Sequence, residues 1–228
     1  MAISHFILLH PEKACKITKI SFIQIYTLNQ PIFTTGVCQK FFTFILIKKT
    51  FMPDKTSIIL ENILHRKSVR NFTGEPVTKD ILLTLLKAGM AAPSARNRQP
   101  LAFIAVTERM VLDAMGEGLP YTKMLFKAGA CIVVCGDSKV DLQQGANDLW
   151  YQDAAAATEN ILLAIEAMGL GGVWSALYPY PDRENHIRKW LKLPPEVTPF
   201  SIVPVGHPTG QDQPKEKFKP EKIHWEHW

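Results

Sequence analysis

Cysteine is scarce and poorly spaced for metal or disulfide chemistry. The four present, Cys15, Cys38, Cys131 and Cys135, form no CxxC pair and no Cys/His ligand set. That argues against a zinc site and against a secreted disulfide framework. Long apolar runs are missing as well. The longest, Phe41 to Ile47, falls far short of the roughly 20 residues needed to span a bilayer. A signal peptide fits poorly, because positive charge starts only at Lys13 and no apolar stretch leads into a small-residue cleavage site. Internal repeats and low-complexity tracts are absent from Ser57 onward. The expectation is a cytoplasmic globular protein with no membrane partner.

Charge of one sign is missing where it would matter. The 26 basic and 21 acidic residues give a formal +5, which invites a nucleic-acid reading. Residues 1–51, however, hold six lysines against the single acid Glu12 and so carry that whole excess. What remains is 20 basic and 20 acidic residues, and a neutral domain has no electrostatic footprint for nucleic acid. Residues 1–51 also contain no arginine and no sustained helical or alternating period. They are expected to be an upstream extension outside the domain, with Met52 as the initiator and 52–228 as the folded unit. An anchor or partner-binding arm is the rival reading.

From Ser57 onward helices and strands alternate. Ile59, Leu60, Ile63 and Leu64 make an apolar helical stripe. Thr78 is a plausible N-cap, with Val77 and Leu82 at staple positions and Pro93 ending the helix beyond Ala92. Strands are expected at Leu101 to Val106, Ala130 to Cys135, Val173 to Leu177 and Ser201 to Val205. Helices are expected at Glu108 to Met115, at Tyr121 to Lys127 and after Pro181. The longest should span about Asp148 to Met168, apolar on several sides and therefore buried in the core or at a subunit interface. Such an order suits a layered α/β or α+β domain. Cys131 and Cys135 fall inside a strand and read as core thiols.

Conventional catalytic groupings are missing too: no Ser/His/Asp or Cys/His arrangement and no paired carboxylates stand out. What is present is a set of anion-binding and amide-rich segments. Arg66-Lys67-Ser68-Val69-Arg70 puts three cations and a hydroxyl directly after the first helix. Taken alone it is also a good basic helix end; equally, arginine forks and a serine hydroxyl make a phosphate site. Pro93-Ser94-Ala95-Arg96-Asn97-Arg98-Gln99-Pro100 is a Pro-bounded loop of turn residues and amides. Gly169-Leu170-Gly171-Gly172 is not GxGxxG and by itself reads as a helix C-cap. It leads into Val173-Trp174-Ser175-Ala176, and the tail carries Lys215 and Lys217.

These segments resemble the nitroreductase family of FMN-dependent flavoproteins from about Ser57 to the C-terminus. The resemblance implies an α+β nitroreductase-like fold, with a central mixed or antiparallel sheet flanked by helices, in a homodimer. It implies FMN held by Arg66, Lys67, Ser68 and Arg70 at its phosphate, ribityl chain and pyrimidine edge. Pro93, Ser94, Asn97 and Gln99 would shape the pocket, in part across the dimer interface. Trp174, Ser175 and Ala176 would lie along the ring, although a core tryptophan is an equal reading of Trp174. Lys215 and Lys217 would reach the phosphate, lysine standing where arginine is commoner. Leu101 replaces a tryptophan frequent in relatives, and Ile223-His224-Trp225 resembles a terminal extension packed on the partner.

The implied activity is an oxidoreductase passing hydride from NADH or NADPH through the flavin to a nitroaromatic, quinone or similar small acceptor by a ping-pong mechanism. The flavin carries the chemistry, so no catalytic side chain is named. A flavin-binding protein without turnover is the alternative, as is a specialised dehalogenase or flavin-destroying enzyme. The lack of a long lid between Ser138 and Asn147 disfavours the dehalogenase.

Overall fold

A computed structural model describes residues 54–140 and 149–228, together with the backbone of 24–28, 44–48 and 141–142. The chain divides into two compact units, Met1–Lys55 and Thr56–Trp228. In the first, strands β1 (Gln24–Leu28) and β2 (Phe44–Lys48) pair antiparallel, Gln24 opposite Lys48. Most of the extension and residues 143–147 of the expected lid region lie outside the described residues.

The second unit is built on an antiparallel sheet. Strands β3 (Leu101–Val106), β4 (Ala130–Asp137), β7 (Val197–Gly206) and β5 (Gly171–Gly172) follow in that order, with β6 (Ser175–Ala176) also paired to β7. β4 explains the two-layered core. Successive strand side chains point to opposite faces, and this strand is apolar on both. Ala130, Ile132 and Val134 face the long helix α5 (Trp150–Ala167) and α2 (Lys79–Met90). Cys131, Val133 and Cys135 face α3 (Arg109–Gly118) and α6 (Pro181–Leu191). Burial pushes the Cys135 thiol up to about 12 and that of Cys131 further, so both stay protonated as core groups.

Local chemistry sets the helix ends. Thr78 caps α2, its hydroxyl accepting from Ile81 N at 3.4 Å, with Val77 and Leu82 buried at the staple positions. Two expectations need correction. Tyr121 to Lys127 is no α-helix but a short 3-10 turn, Lys123–Phe126, because Tyr121 has φ 60 and cannot belong to a helix. Val173 to Leu177 is not one strand. β5 and β6 hold one register on β7, Gly172 opposite Val205 and Ser175 opposite Ile202. Continuing that register puts Val173 opposite Pro204, which has no N–H to donate, so the ladder breaks there.

Of the two places expected for the long apolar helix, the core is where its apolar face lies. α5 buries Ala154, Ala157, Ile161, Leu162 and Ile165 against its own sheet. It is α1 (Lys55–His65) that has no buried residue and exposes Ile58, Ile59, Leu60, Ile63 and Leu64. Among the described residues no helix is long and apolar enough to cross a membrane, and no His/Cys/Asp/Glu group could hold a metal ion.

Candidate functional site

The basic run begins where α1 stops. Arg66 N still donates to Asn62 O at 3.1 Å, the last helical bond, and the chain then turns alongside β5. Val69 is the anchor: it is buried, and its N–H donates to Gly172 O at 2.9 Å. Phe72 bridges to Pro208, and Thr73 N donates to His207 O. Arg66 and Ser68 are half-buried and Arg70 is exposed, on the two sides of buried Val69 in the chain.

The tail returns to this run. Asp212 Oδ2 accepts from Arg70 N, Asn71 N and Asn71 Nδ2 at 3.1 to 3.2 Å. Lys217 Nζ donates to the carbonyl oxygen of Arg66 at 3.2 Å, across 151 residues of sequence. Thus Arg66, Ser68, Arg70, Gly171, Gly172 and Lys217 form one neighbourhood. Lys215 is exposed in the same tail segment.

Two carboxylates on α5 complete this end. Glu159 Oε1 lies 3.0 Å from Arg66 Nε, and Glu166 binds Lys67 Nζ through both oxygens at 2.9 and 3.1 Å. Lys67 is therefore committed within the chain. The Ser68 hydroxyl, the Arg70 guanidinium and both Nη groups of Arg66 have no partner among the described residues.

The Pro93–Pro100 loop is held at the other end of the same helix. Buried Asp153, in the first turn of α5, accepts from Ala95 N at 3.0 Å. Ser94 folds the loop on itself, its Oγ accepting from Gln99 N at 2.9 Å and its carbonyl from Asn97 N. Arg96, Asn97 and Gln99 have φ of 55, 56 and 54. Three left-handed residues without glycine in so short a loop are a concentration of strain of the kind found where ligands bind. Pro93, Asn97 and Gln99 are exposed, and the two amide side chains have no partner among the described residues. Asp153 precedes Glu159 by six residues and Glu166 by thirteen, or roughly 9 and 20 Å along the helix axis. The loop and the basic run are thus separate features of one chain.

Trp174 is half-buried with its ring 5.7 Å from that of Phe200, and Ser175 and Ala176 pair with β7. Ala176 O accepts from Arg183 Nη1 at 3.1 Å, and that guanidinium lies 3.9 Å from the Tyr180 ring centre. Sequence reasoning missed Asp153, Glu159, Glu166 and Asp212. The only available signal was for the α5 pair, two acids seven residues apart, hence on one face, of an otherwise apolar helix.

A sequence model of the Nitroreductase family matches residues 63–121 and 116–207, which takes in the basic run, the Pro-bounded loop and the Gly171–Ala176 segment. The chain belongs to that family. A relative from Archaeoglobus fulgidus, named "Putative NADH dehydrogenase/NAD(P)H nitroreductase", is 40% identical over 172 residues, covering 74% of this chain and 98% of the relative. A crystal structure of the same name from Parabacteroides distasonis has 47% identity and a TM-score of 0.71, covering 75% of this chain and 99% of that one. A structure from Desulfovibrio desulfuricans, in complex with FMN, has 26% identity and a TM-score of 0.64, with coverages of 78% and 99%. The nitroreductase fold is therefore the frame in which Arg66, Ser68, Arg70 and Lys217 meet.

Proposed function

We propose that the chain is an FMN-dependent oxidoreductase using NADH or NADPH to reduce a small acceptor such as a nitroaromatic or quinone. The observation that carries this reading is the meeting of Arg66, Ser68, Arg70 and Lys217, with donors on the first three that have no partner among the described residues. A phosphate monoester, with about two negative charges and three acceptor oxygens, matches that donor set. The family relatives named for NAD(P)H, and the neighbour in complex with FMN, support the same reading.

FMN, when bound, supplies the hydride-accepting and hydride-donating ring. The chain's own residues do the rest. Arg66 offers its Nη fork and Ser68 its hydroxyl to the phosphate, and Lys217 adds a point charge beside them. Arg70 would sit at the pyrimidine edge, a cation placed to stabilise negative charge there, which is electrostatic preorganisation. Trp174, Ser175 and Ala176 would lie along the ring. Pro93, Ser94, Asn97 and Gln99 would help shape the pocket, in part across the dimer interface, in keeping with the loop's separation along α5. Donor and acceptor use one pocket in turn, which gives ping-pong kinetics.

Stopped-flow mixing of FMN-loaded protein with NADH and then NADPH tests the activity. The expected result is rapid bleaching of the flavin with at least one donor and recovery on adding a quinone. A yellow protein inert to both donors would instead be a flavin store.

The pocket needs a homodimer. α1 leaves five large apolar side chains uncovered, and a groove of about 600 Å³ lies between it and the second half of α5, lined by Ile58, Ile59, Ile63 and Leu163. A two-fold contact of this surface with its own copy is self-complementary. Light scattering on dilute holoprotein should give twice the chain mass. A folded monomer that keeps FMN and turns over would overturn the shared pocket.

A further inference from the structure

We infer that Glu159 is a positioning residue that aims the guanidinium of Arg66 at the phosphate. This rests on the reading of the Arg66–Arg70 run as a phosphate site. The Arg66 backbone is pinned on both sides, its N–H donating to Asn62 O and its carbonyl accepting from Lys217 Nζ. What remains free is the side chain, four torsions long. Glu159 removes that freedom by taking Nε at 3.0 Å.

Geometry makes this a useful place to hold an arginine. The guanidinium is planar with five N–H donors, so an acceptor on Nε fixes the plane and leaves the Nη fork for a second acceptor. Among the described residues neither Nη has a protein partner. The carboxylate is also delivered from a rigid support. Thr158, next to it on α5, is fully buried, its hydroxyl 2.7 Å from Ala154 O and 3.0 Å from Ser201 Oγ. Ile161 and Leu162 anchor the following turn. A supporting residue on a packed helix holds a ligand-binding group better than one on a loop.

Glu159 also carries a negative charge close to where a dianion would sit, and that opposes binding. Its side chain is 42% exposed, so solvent screens this repulsion. The useful element is therefore the acceptor oxygen, and the charge is incidental. Glutamine keeps an acceptor at the same reach, whereas alanine removes it. A purely competitive role, with Glu159 occupying Arg66 until phosphate displaces it, makes the opposite prediction for alanine.

The test is titration of flavin-free protein with FMN and with riboflavin, which has the same ring and ribityl chain but no phosphate, followed by flavin fluorescence. Glu159→Ala is expected to weaken FMN binding about tenfold, the loss of roughly one well-formed charge-assisted contact. Glu159→Gln should stay within about threefold of the parent protein. Neither should alter riboflavin affinity, and in an Arg66→Ala background Glu159→Ala should cost nothing more. Unchanged or tighter FMN binding by Glu159→Ala overturns the inference. So does equal loss of riboflavin, a glutamine variant as weak as alanine, or a cost that persists without Arg66. Parent protein that binds riboflavin and FMN equally overturns the phosphate site itself, whatever the Glu159 variants do.

Discussion

Arg66→Ala loses roughly ten- to hundredfold in FMN affinity, while Arg96→Ala stays close to the parent protein. That loss corresponds to about 1.5–3 kcal/mol, the usual range for a hydrogen bond to a charged group. Arg66 brings two Nη groups, without a partner among the described residues, into the neighbourhood of Ser68, Arg70 and Lys217. Removing it also leaves the Glu159 carboxylate facing the phosphate without its cation. Arg96 is also a loop arginine beside predicted site residues, but it is exposed at φ 55. Alanine at that φ is strained much as arginine is. Fluorescence titration of both variants decides the matter, and equal dissociation constants would remove Arg66 from the site.

Gly171→Ala should damage both stability and flavin binding, although Gly171 contributes no side chain to any ligand. A Cβ there would lie 2.5 Å from Val69 Cγ1, 2.9 Å from Val69 Cβ and 3.1 Å from Phe72 Cε1. Val69 is buried with 1% exposure and cannot move outward without dragging the run that flanks it. Overpacking of this kind costs about 1–3 kcal/mol, visible as a lower urea midpoint. The displaced Val69 would carry Arg66, Ser68 and Arg70 with it, so FMN affinity should fall as well. A variant with the parent's midpoint and the parent's affinity would show that packing of β5 does not hold the run in place.

Local signals account for much of what the sequence revealed. β3 was readable at Leu101–Val106 because Pro100 precedes it and the run is apolar throughout. Thr78 was readable because capping is a matter of a few adjacent residues. The basic run and the Pro-bounded loop stood out as motifs for the same reason. Features that depend on distant partners were hidden. The break at Val173 is decided by Pro204, thirty-one positions away, through a register no local pattern reveals. The pairings of Glu159 with Arg66 and of Glu166 with Lys67 depend on how α5 is rotated against the end of α1. Apolar periodicity likewise marks a face to be covered but not its cover. It suggested excess greasy surface on α5, whose apolar face its own sheet covers, while the same kind of stripe on α1 stands bare.

The single helix behind the loop and the basic run works as a ruler. Asp153 sets the loop, and Glu159 and Glu166 set the first two cations, all from one continuous α5. Loops elsewhere in the fold can lengthen without disturbing that measure. A residue inserted between Asp153 and Glu159 cannot be absorbed so simply. It would turn everything beyond it by about 100° and advance it by about 1.5 Å. Both carboxylates would then swing away from Arg66 and Lys67 while the loop stayed where it was. Sequence drift in this stretch should therefore take the form of substitution, with the count of residues between the loop anchor and the cation anchors held constant.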